Sequence, residues 1–390
     1  MRSGLMPYNL FKYFFAGCFL FCFGCSEPTK KSIPFLFDLK KDSSIKYAKR
    51  FAISRNKDLT LVYLFGNKAN YDTTAIYLIY SDSSLIKNAP KNFILIKNPC
   101  EKIAALSSIY TAMFFELGLI DNLVAIDNVD YCNNPEIISR CNSGKIKQLA
   151  KGIETDLEQT ITLKPDIVFT FGMGDPEKDV NPKLLQSKIP VAISLDHKEE
   201  TPLARAEWIK FFAIFVNKKE MADSIFNLVE KNYNALKVIG EKTELKPSVF
   251  SDIKYSDSWY MPGGKSYVAQ LLNDAGTNYL WKDDSNYGSL PLSFEQVYAK
   301  AKDAGFWINV STLRTKKELV GFDTRYAEFA AFKTGNIFNN TKHVNALGYS
   351  TYWETGMIYP DRILSDLILI FHPELKGQLK NEFYYYEQLK

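Results

Sequence analysis

Two glutamates stand in matching surroundings, Glu158 within Asp156-Leu157-Glu158-Gln159 and Glu295 within Ser293-Phe294-Glu295-Gln296. Each is followed by a polar break, Lys164-Pro165-Asp166 or Lys302-Asp303, whose aspartate lies eight residues beyond the glutamate, and then by an apolar run, Ile167–Phe171 or Phe306–Val310. The pattern predicts a helix start, a turn and a buried strand, twice over. Asp156 or Ser293 accepts from the orphan amides while Gln159 or Gln296 reaches back as a capping box. A glutamate in the first turn complements the positive end of the helix dipole by about 0.3–1 kcal/mol, which by itself accounts for each acid. Helix chemistry does not account for the pairing, which implies two similar α/β lobes carrying equivalent acids and able to close on something.

The other residue types capable of chemistry are sparse. His197, His343 and His372 are the only histidines and are far apart in sequence, so no direct metal cage is expected. CxxC spacing is absent, and neither a Gly-x-Ser-x-Gly elbow nor a phosphate-binding Gly-x-x-x-x-Gly-Lys loop occurs. The expectation is therefore a protein that is not an enzyme and carries no cofactor. Lysine and arginine number 48 against 44 acids, a net +4 that gives no reason to expect nucleic acid or an anionic membrane surface as partner. At 390 residues the chain is long enough for two cores.

The first residues read as a targeting segment. Arg2 and Lys12 precede the uncharged apolar run Tyr13–Gly24, which is short for a bilayer span and suited to a signal-peptide core. It ends at Gly24-Cys25, followed by the polar Ser26-Glu27-Pro28-Thr29-Lys30-Lys31, and resembles a bacterial lipoprotein signal with Cys25 as the lipidated residue. Cys18, after Phe15-Ala16-Gly17, competes for the role, but cleavage there would leave Phe19–Phe23 apolar in the mature tail. The membrane is thus expected to hold the chain only through an N-terminal lipid, on an extracytoplasmic face. Beyond Cys25 there remain Cys100, Cys132 and Cys141, and in an oxidising compartment Cys132 and Cys141 could close a small loop.

Elements that must position these residues follow from patterning. Thr60–Phe65 and Ala75–Tyr80 are β-branched and aromatic runs bounded by turn residues, predicting an antiparallel strand extension. From Lys102 the chain alternates: a strand to Leu106, a helix capped by Ser107-Ser108 and closed by Gly118, a strand Leu123–Ile126, the first copy of the repeat, and a strand Val191–Leu195. Between Pro202 and Gly240 neither glycine nor proline occurs, and apolar residues recur at helical spacing from Trp208 to Val229. One helix there would span roughly 57 Å; Asn217-Lys218-Lys219 could instead divide it into ordinary packed helices. The predicted fold is α/β, with two βαβ-type lobes having mostly parallel central sheets, joined by a long interlobe helix and preceded by an antiparallel strand extension. Its divisions are a signal peptide 1–24, a tether 25–45, a first lobe 46–201 with the extension 46–98, the interlobe helix 202–242 and a second lobe 243–390.

Ile103–Gly118, Asp156–Phe171, Gly264–Gly276, Pro291–Ala299 and Asp361–Leu375, in that order behind a lipoprotein leader, resemble ABC-transporter solute-binding proteins that carry iron-siderophores, haem or cobalamin. The likeness covers roughly residues 95–378, and the region before it resembles the N-terminal extension of Bacteroidetes-type lipoprotein members. It implies two lobes that open only slightly, a ligand in the cleft between them, and one acid per lobe meeting arginines of a membrane permease, which by motif position are Glu158 and Glu295. It further implies that loops at strand ends line the cleft: Ser107, Ser108, Tyr110, Asp130, Tyr131, Gly152, Gly172 and Met173 from the first lobe, and Trp259, Tyr260, Arg325, Tyr326, Tyr352 and Trp353 from the second. Aromatic faces and a guanidinium among these suit a ferric chelate, haem or cobalamin. Glu354 is expected to brace the final helical region and not to touch ligand, since a buried carboxylate needs a partner. The protein is expected to act as a monomer.

Overall fold

The computed structural model describes residues 39–66, 73–151, 154–379 and 382–390. Cys25 and Gly152, with the whole leader and most of the tether, lie outside the described residues. Leu39–Lys390 form one compact unit.

Two sheets carry the architecture. The first is wholly parallel, in the order Val191–Ser194, Ile167–Phe171, Ile103–Ala105, Leu123–Ile126, Lys147–Gln148. Parallel strands are covered on both faces and therefore read as apolar runs; Ile103–Ala105 and Ile167–Phe169 are accordingly inaccessible to solvent. The second has the order Asn278–Tyr279, Ser248–Ser251, Phe306–Ile308, Ile337–Asn339, Glu387–Gln388, and only the last pairing is antiparallel. In each sheet the first strand in sequence, Ile103–Ala105 or Ser248–Ser251, is interior and later strands add on both sides, so both sheets have a point where the winding direction reverses. Loops at the carboxyl ends of strands diverge there and leave a crevice.

Helix starts follow the capping residues. Ser107 caps Ser108–Glu116, Ser266 caps Tyr267–Asp274 and Ser293 caps Phe294–Ala301. The doubled motif does not fold identically in its two copies. A reciprocal capping box forms at Ser293 and Gln296. At the first copy Asp156 accepts from the Gln159 amide, while its own N–H donates to Leu149 O, so Gln159 has no amide there to reach for.

The single helix expected over 202–242 is three: Pro202–Ala206, Trp208–Ile214 and Lys219–Glu241. The interruption falls at Asn217, whose φ of 54° takes the chain out of the helix. The last helix, 23 residues and so about 35 Å long, is the interlobe strut. Its buried residues Ala222, Phe226, Val229, Tyr233 and Gly240 keep to one stripe. In its first half Phe226 packs on Tyr47, and at its midpoint Glu230 accepts from Lys46 and Tyr47. In its second half Tyr233 donates to Asp274, Asn232 donates to Asp361, and Lys237 pairs with Asp274 at 3.2 Å. A Cβ on Gly240 would lie 2.1 Å from Asp274 O, so only glycine lets this helix approach the second lobe so closely.

The extension is antiparallel through Lys40–Lys41, Phe51–Arg55, Leu59–Phe65 and Thr73–Tyr80, after which Ile94–Lys97 adds in parallel. Its first strand begins inside the segment expected to be tether. Two buried carboxylates hold it to the first lobe: Glu207 accepts the amides of Lys46, Tyr47 and Ala48, and Glu199 those of Lys49 and Arg50. Among the described residues no helix is long and apolar enough to cross a membrane.

Candidate ligand cleft

A cavity of about 330 Å³ lies between the two lobes. Ser108, one residue beyond the cap of the helix that follows Ile103–Ala105, and Tyr131, in the 3₁₀ turn Val129–Tyr131, line it from the first lobe. From the second, Ser311 and Thr312 follow the strand Phe306–Ile308, Asn340 and Thr341 follow Ile337–Asn339, and Gly348, Tyr349, Ser350 and Trp353 complete the wall. The lining thus comes from carboxyl ends of strands in both sheets, where the reversed winding opens the crevice. Gly348, with φ +85°, makes the turn that presents Tyr349. A larger cavity of about 670 Å³ is confined to the second lobe, lined by Lys342, His343, Arg362, Tyr384 and neighbours. It does not lie between the lobes.

The cleft is latched on one side. Asn345 Nδ2 donates to Asp130 O at 2.7 Å and to Cys132 O at 3.2 Å. Its Oδ1 meanwhile accepts from the Leu347 and Tyr349 amides of its own loop. The Tyr131 and Tyr349 rings meet edge to face with centroids 4.7 Å apart. Glu354, 3% exposed, accepts from the Asn133 backbone amide at 2.9 Å through one oxygen. Burial pushes its carboxyl above the usual glutamate range, with the Asn133 contacts opposing. Burial, and then Glu354, also push the Cys132 thiol well up. Expected as a brace of the final helical region, Glu354 instead hydrogen-bonds across the lobes to Asn133.

Of the residues expected in the cleft, Ser108, Tyr131 and Trp353 line it; Tyr131 is 40% and Trp353 59% exposed. Ser107 stands beside them as the cap, accepting from the Ile109 amide. Asp130 meets the latch through its carbonyl. Tyr110, Trp259, Tyr326 and Tyr352 point into lobe interiors, which corrects the expectation for them. Tyr110 donates to Asp196 under the first sheet. Trp259 is fully buried, its indole N–H on Ser251 O, among Phe250, Trp307 and Phe329. Tyr326 belongs to that aromatic cluster, and its hydroxyl accepts from the Lys254 amide. Tyr352 lies 4% exposed against Tyr385 and Tyr386. Tyr260 is exposed because strand neighbours alternate faces, but it lies on the ribbon paired with Ser289–Leu292 and does not line the cavity.

Gly172 and Met173 sit in a loop gathered by the Asp179 carboxylate, which accepts the Met173 and Gly174 amides; neither lines the cavity. Arg325 is also elsewhere: it pairs with Asp323 at 2.7 Å and Glu295 at 3.3 Å and lies 3.8 Å over the Phe294 ring. Glu295 and Glu158 are both exposed in first helical turns, and the N-terminal amides with Ser293, then Arg325, hold the Glu295 carboxyl below its usual range. The bond considered for Cys132 and Cys141 is not formed; both are buried free thiols. The intervening residues fold as the helix Pro135–Asn142, which turns Cys141 inward beside Ile137. Among the described residues no group of histidine, cysteine or carboxylate side chains could hold a metal ion. Sequence reasoning does not reach Ser311, Thr312, Asn340, Thr341, Gly348, Tyr349 and Ser350, although strand-end position is an available signal for the first four.

The model of the periplasmic binding protein family matches residues 103–343. An uncharacterized lipoprotein of Methanocaldococcus jannaschii is 30% identical over 62% of this chain, which spans 56% of that protein's length. Two solved structures share the fold. A possible iron-binding, periplasmic solute-binding protein from Staphylococcus epidermidis superimposes with a TM-score of 0.54 at 16% identity, covering 70% of this chain and 100% of the other. The Fe3+-Desferal-bound siderophore-binding protein of Vibrio cholerae gives 0.52 at 16% identity, covering 69% and 98%. With the family model matched over more than half of its length, and with two parallel-sheet lobes facing a shared cleft, this chain belongs to the periplasmic binding protein family.

Proposed function

We propose that this protein captures an iron-siderophore or a related chelate outside the cytoplasm and delivers it to the permease of an ABC importer. The observation that carries the reading is a polar and aromatic cavity shared by two lobes, in a chain of the periplasmic binding protein family. One structural neighbour is a siderophore-binding protein with Fe3+-Desferal bound, and another is a possible iron-binding protein. Haem and cobalamin are the alternative ligands of the same reading. A Cys25 lipid would hold the protein at the membrane, and it would act as a monomer without catalysis. Glu158 and Glu295 are the proposed permease contacts. Exposed ion pairs contribute about 0–1 kcal/mol each, so docking would be brief and electrostatically steered.

Trp353 supplies the assay. Trp208, Trp259 and Trp307 are fully buried and Trp281 nearly so, which leaves Trp353 as the indole open to the cleft. Adding ferric siderophores, haem or cobalamin to the full chain in detergent should quench its fluorescence saturably, and Trp353→Phe should remove most of that change. Silence with all three ligand types would overturn the reading. Transport by cells carrying Glu158→Lys with Glu295→Lys should fall severely while ligand affinity holds; loss of affinity instead would assign the acids to the cleft.

A further inference from the structure

Building on that ligand reading, we propose that the cleft selects chelates without net negative charge, uncharged or cationic, and turns polyanionic ones away. None of the ten residues lining the cavity carries a formal charge at neutral pH; they offer hydroxyls, the Asn340 amide and the rings of Tyr131, Tyr349 and Trp353. A polyanion entering such a wall loses its hydration and gains no cation in return, whereas a neutral, oxygen-rich chelate exchanges water for hydroxyl and amide contacts.

The arginine first expected in the cleft, and the cations next to lining residues in sequence, are committed elsewhere. Arg325 is held by Asp323 and Glu295. Chain direction splits at residue 341: Asn340 and Thr341 line the cleft, while Lys342 and His343 line the separate second-lobe cavity, with Lys342 donating to Phe383 O. Arg314, two residues beyond Thr312, pairs with Glu387 at 3.3 Å, and Glu387 also accepts from the Thr341 hydroxyl. What charge reaches the wall is acidic. Asp127 and Asp130 add to the effect of Tyr349 in raising the Tyr131 hydroxyl, and Glu354 stands buried beside Trp353. The wall is also preorganised: Ser350 donates to Asn340 O, and Asn340 Nδ2 to Asn309 Oδ1 at 3.3 Å. Its volume of about 330 Å³ is at the low end of small-molecule sites, which run roughly from 300 to 1,000 Å³, so a full chelate must part the latch to enter.

The test holds the metal constant and varies the charge. Full chain in detergent is titrated, by Trp353 fluorescence, with a neutral cyclic ferric trihydroxamate, the cationic ferrioxamine B and a trianionic ferric tris-catecholate, with cobalamin and haem as further neutral and anionic ligands. Affinity for at least one neutral or cationic ligand should exceed that for every anionic one by about 100-fold or more, as an unpaired buried charge demands. Thr312→Lys, at an exposed lining position, should tighten the tris-catecholate about 10-fold, with circular dichroism and the urea midpoint reporting correct folding; no gain for the tris-catecholate in a folded variant would contradict the charge rule. A tris-catecholate or haem bound as tightly as the best neutral ligand would overturn the charge rule and leave the ligand reading standing. Failure of all five to bind would overturn the ligand reading itself.

Discussion

Replacing Asn345 by aspartate separates the two jobs of one side chain. Oδ1 organises its own loop through the Leu347 and Tyr349 amides at 3.0 and 3.1 Å, and aspartate keeps that acceptor. Nδ2 crosses the lobes to Asp130 O and Cys132 O, and aspartate replaces it with an oxygen facing two carbonyls. Two intramolecular hydrogen bonds contribute about 0.5–1.5 kcal/mol each, so the latched state loses about 1–3 kcal/mol, roughly a 5- to 150-fold shift toward the unlatched one. Repulsion between the new carboxylate and the carbonyls places the effect in the upper part of that range. The reporter is the Asn133 amide, which donates across the lobes to Glu354. Its hydrogen exchange should accelerate by that factor in Asn345→Asp, while amides of Ile167–Phe171 at the sheet centre exchange as before. Unchanged exchange at Asn133 would refute the latch. Equal acceleration in the sheet would mean that the variant loosens the whole fold and not the lobe contact.

Glu354 gives a pH signature. Its carboxyl lies above the ordinary glutamate range through burial, so the folded state binds the proton more tightly than the unfolded chain. The resulting stability is whole below about pH 4.3 and is lost as pH rises through the folded value; urea unfolding should show this decline in the native chain and a flatter profile in Glu354→Gln. Asp366 accepts the amides of Tyr384, Tyr385 and Tyr386 at 2.7, 2.7 and 3.1 Å and so ties the C-terminal segment to the helix Pro360–Phe371. Asp366→Ala leaves these amides without their acceptor at a cost of about 3–5 kcal/mol, which the urea midpoint should register and an unshifted midpoint would contradict.

Elements were legible where local chemistry and burial agree. Ser107, Ser266 and Ser293 announce their helices because a hydroxyl at that position satisfies amides that nothing else in the helix can. The runs Ile103–Ala105 and Ile167–Phe169 announce buried parallel strands because both faces are covered. The division at Asn217 rests on one residue adopting φ 54°, which periodicity registers only as a gap. The cleft was less legible. Trp259 and Tyr260 are neighbours of similar chemistry, and only the pleat decides that the first enters the core and the second faces water. Ser311, Thr312, Asn340 and Thr341 carry no pattern of their own; what marks them is that strands end at Ile308 and Asn339. The apolar run through Val310 suggested a longer strand, but Asn309 and Ser311 both turn to positive φ and bring the chain to the cleft early.

The two acids that first stood out are equivalent in sequence and unequal in structure. Both occupy a first helical turn, where the dipole favours them, but Arg325 lies over the Phe294 ring with its guanidinium on Glu295 and Asp323. Arg325 closes a chain of charges in which Lys254 also reaches Asp323, at 3.6 Å. On the proposed docking role, an incoming arginine meets a free acid at Glu158 only if no such partner stands there, whereas at Glu295 it must share the carboxylate with Arg325 or displace it. Glu295 and Arg325 are 75% and 45% exposed, so water and salt screen the resident pair and the exchange is cheap. The duplication therefore accounts for an acid on each lobe, while Arg325 gives the acid of the second lobe a resident partner that an incoming arginine must share or displace.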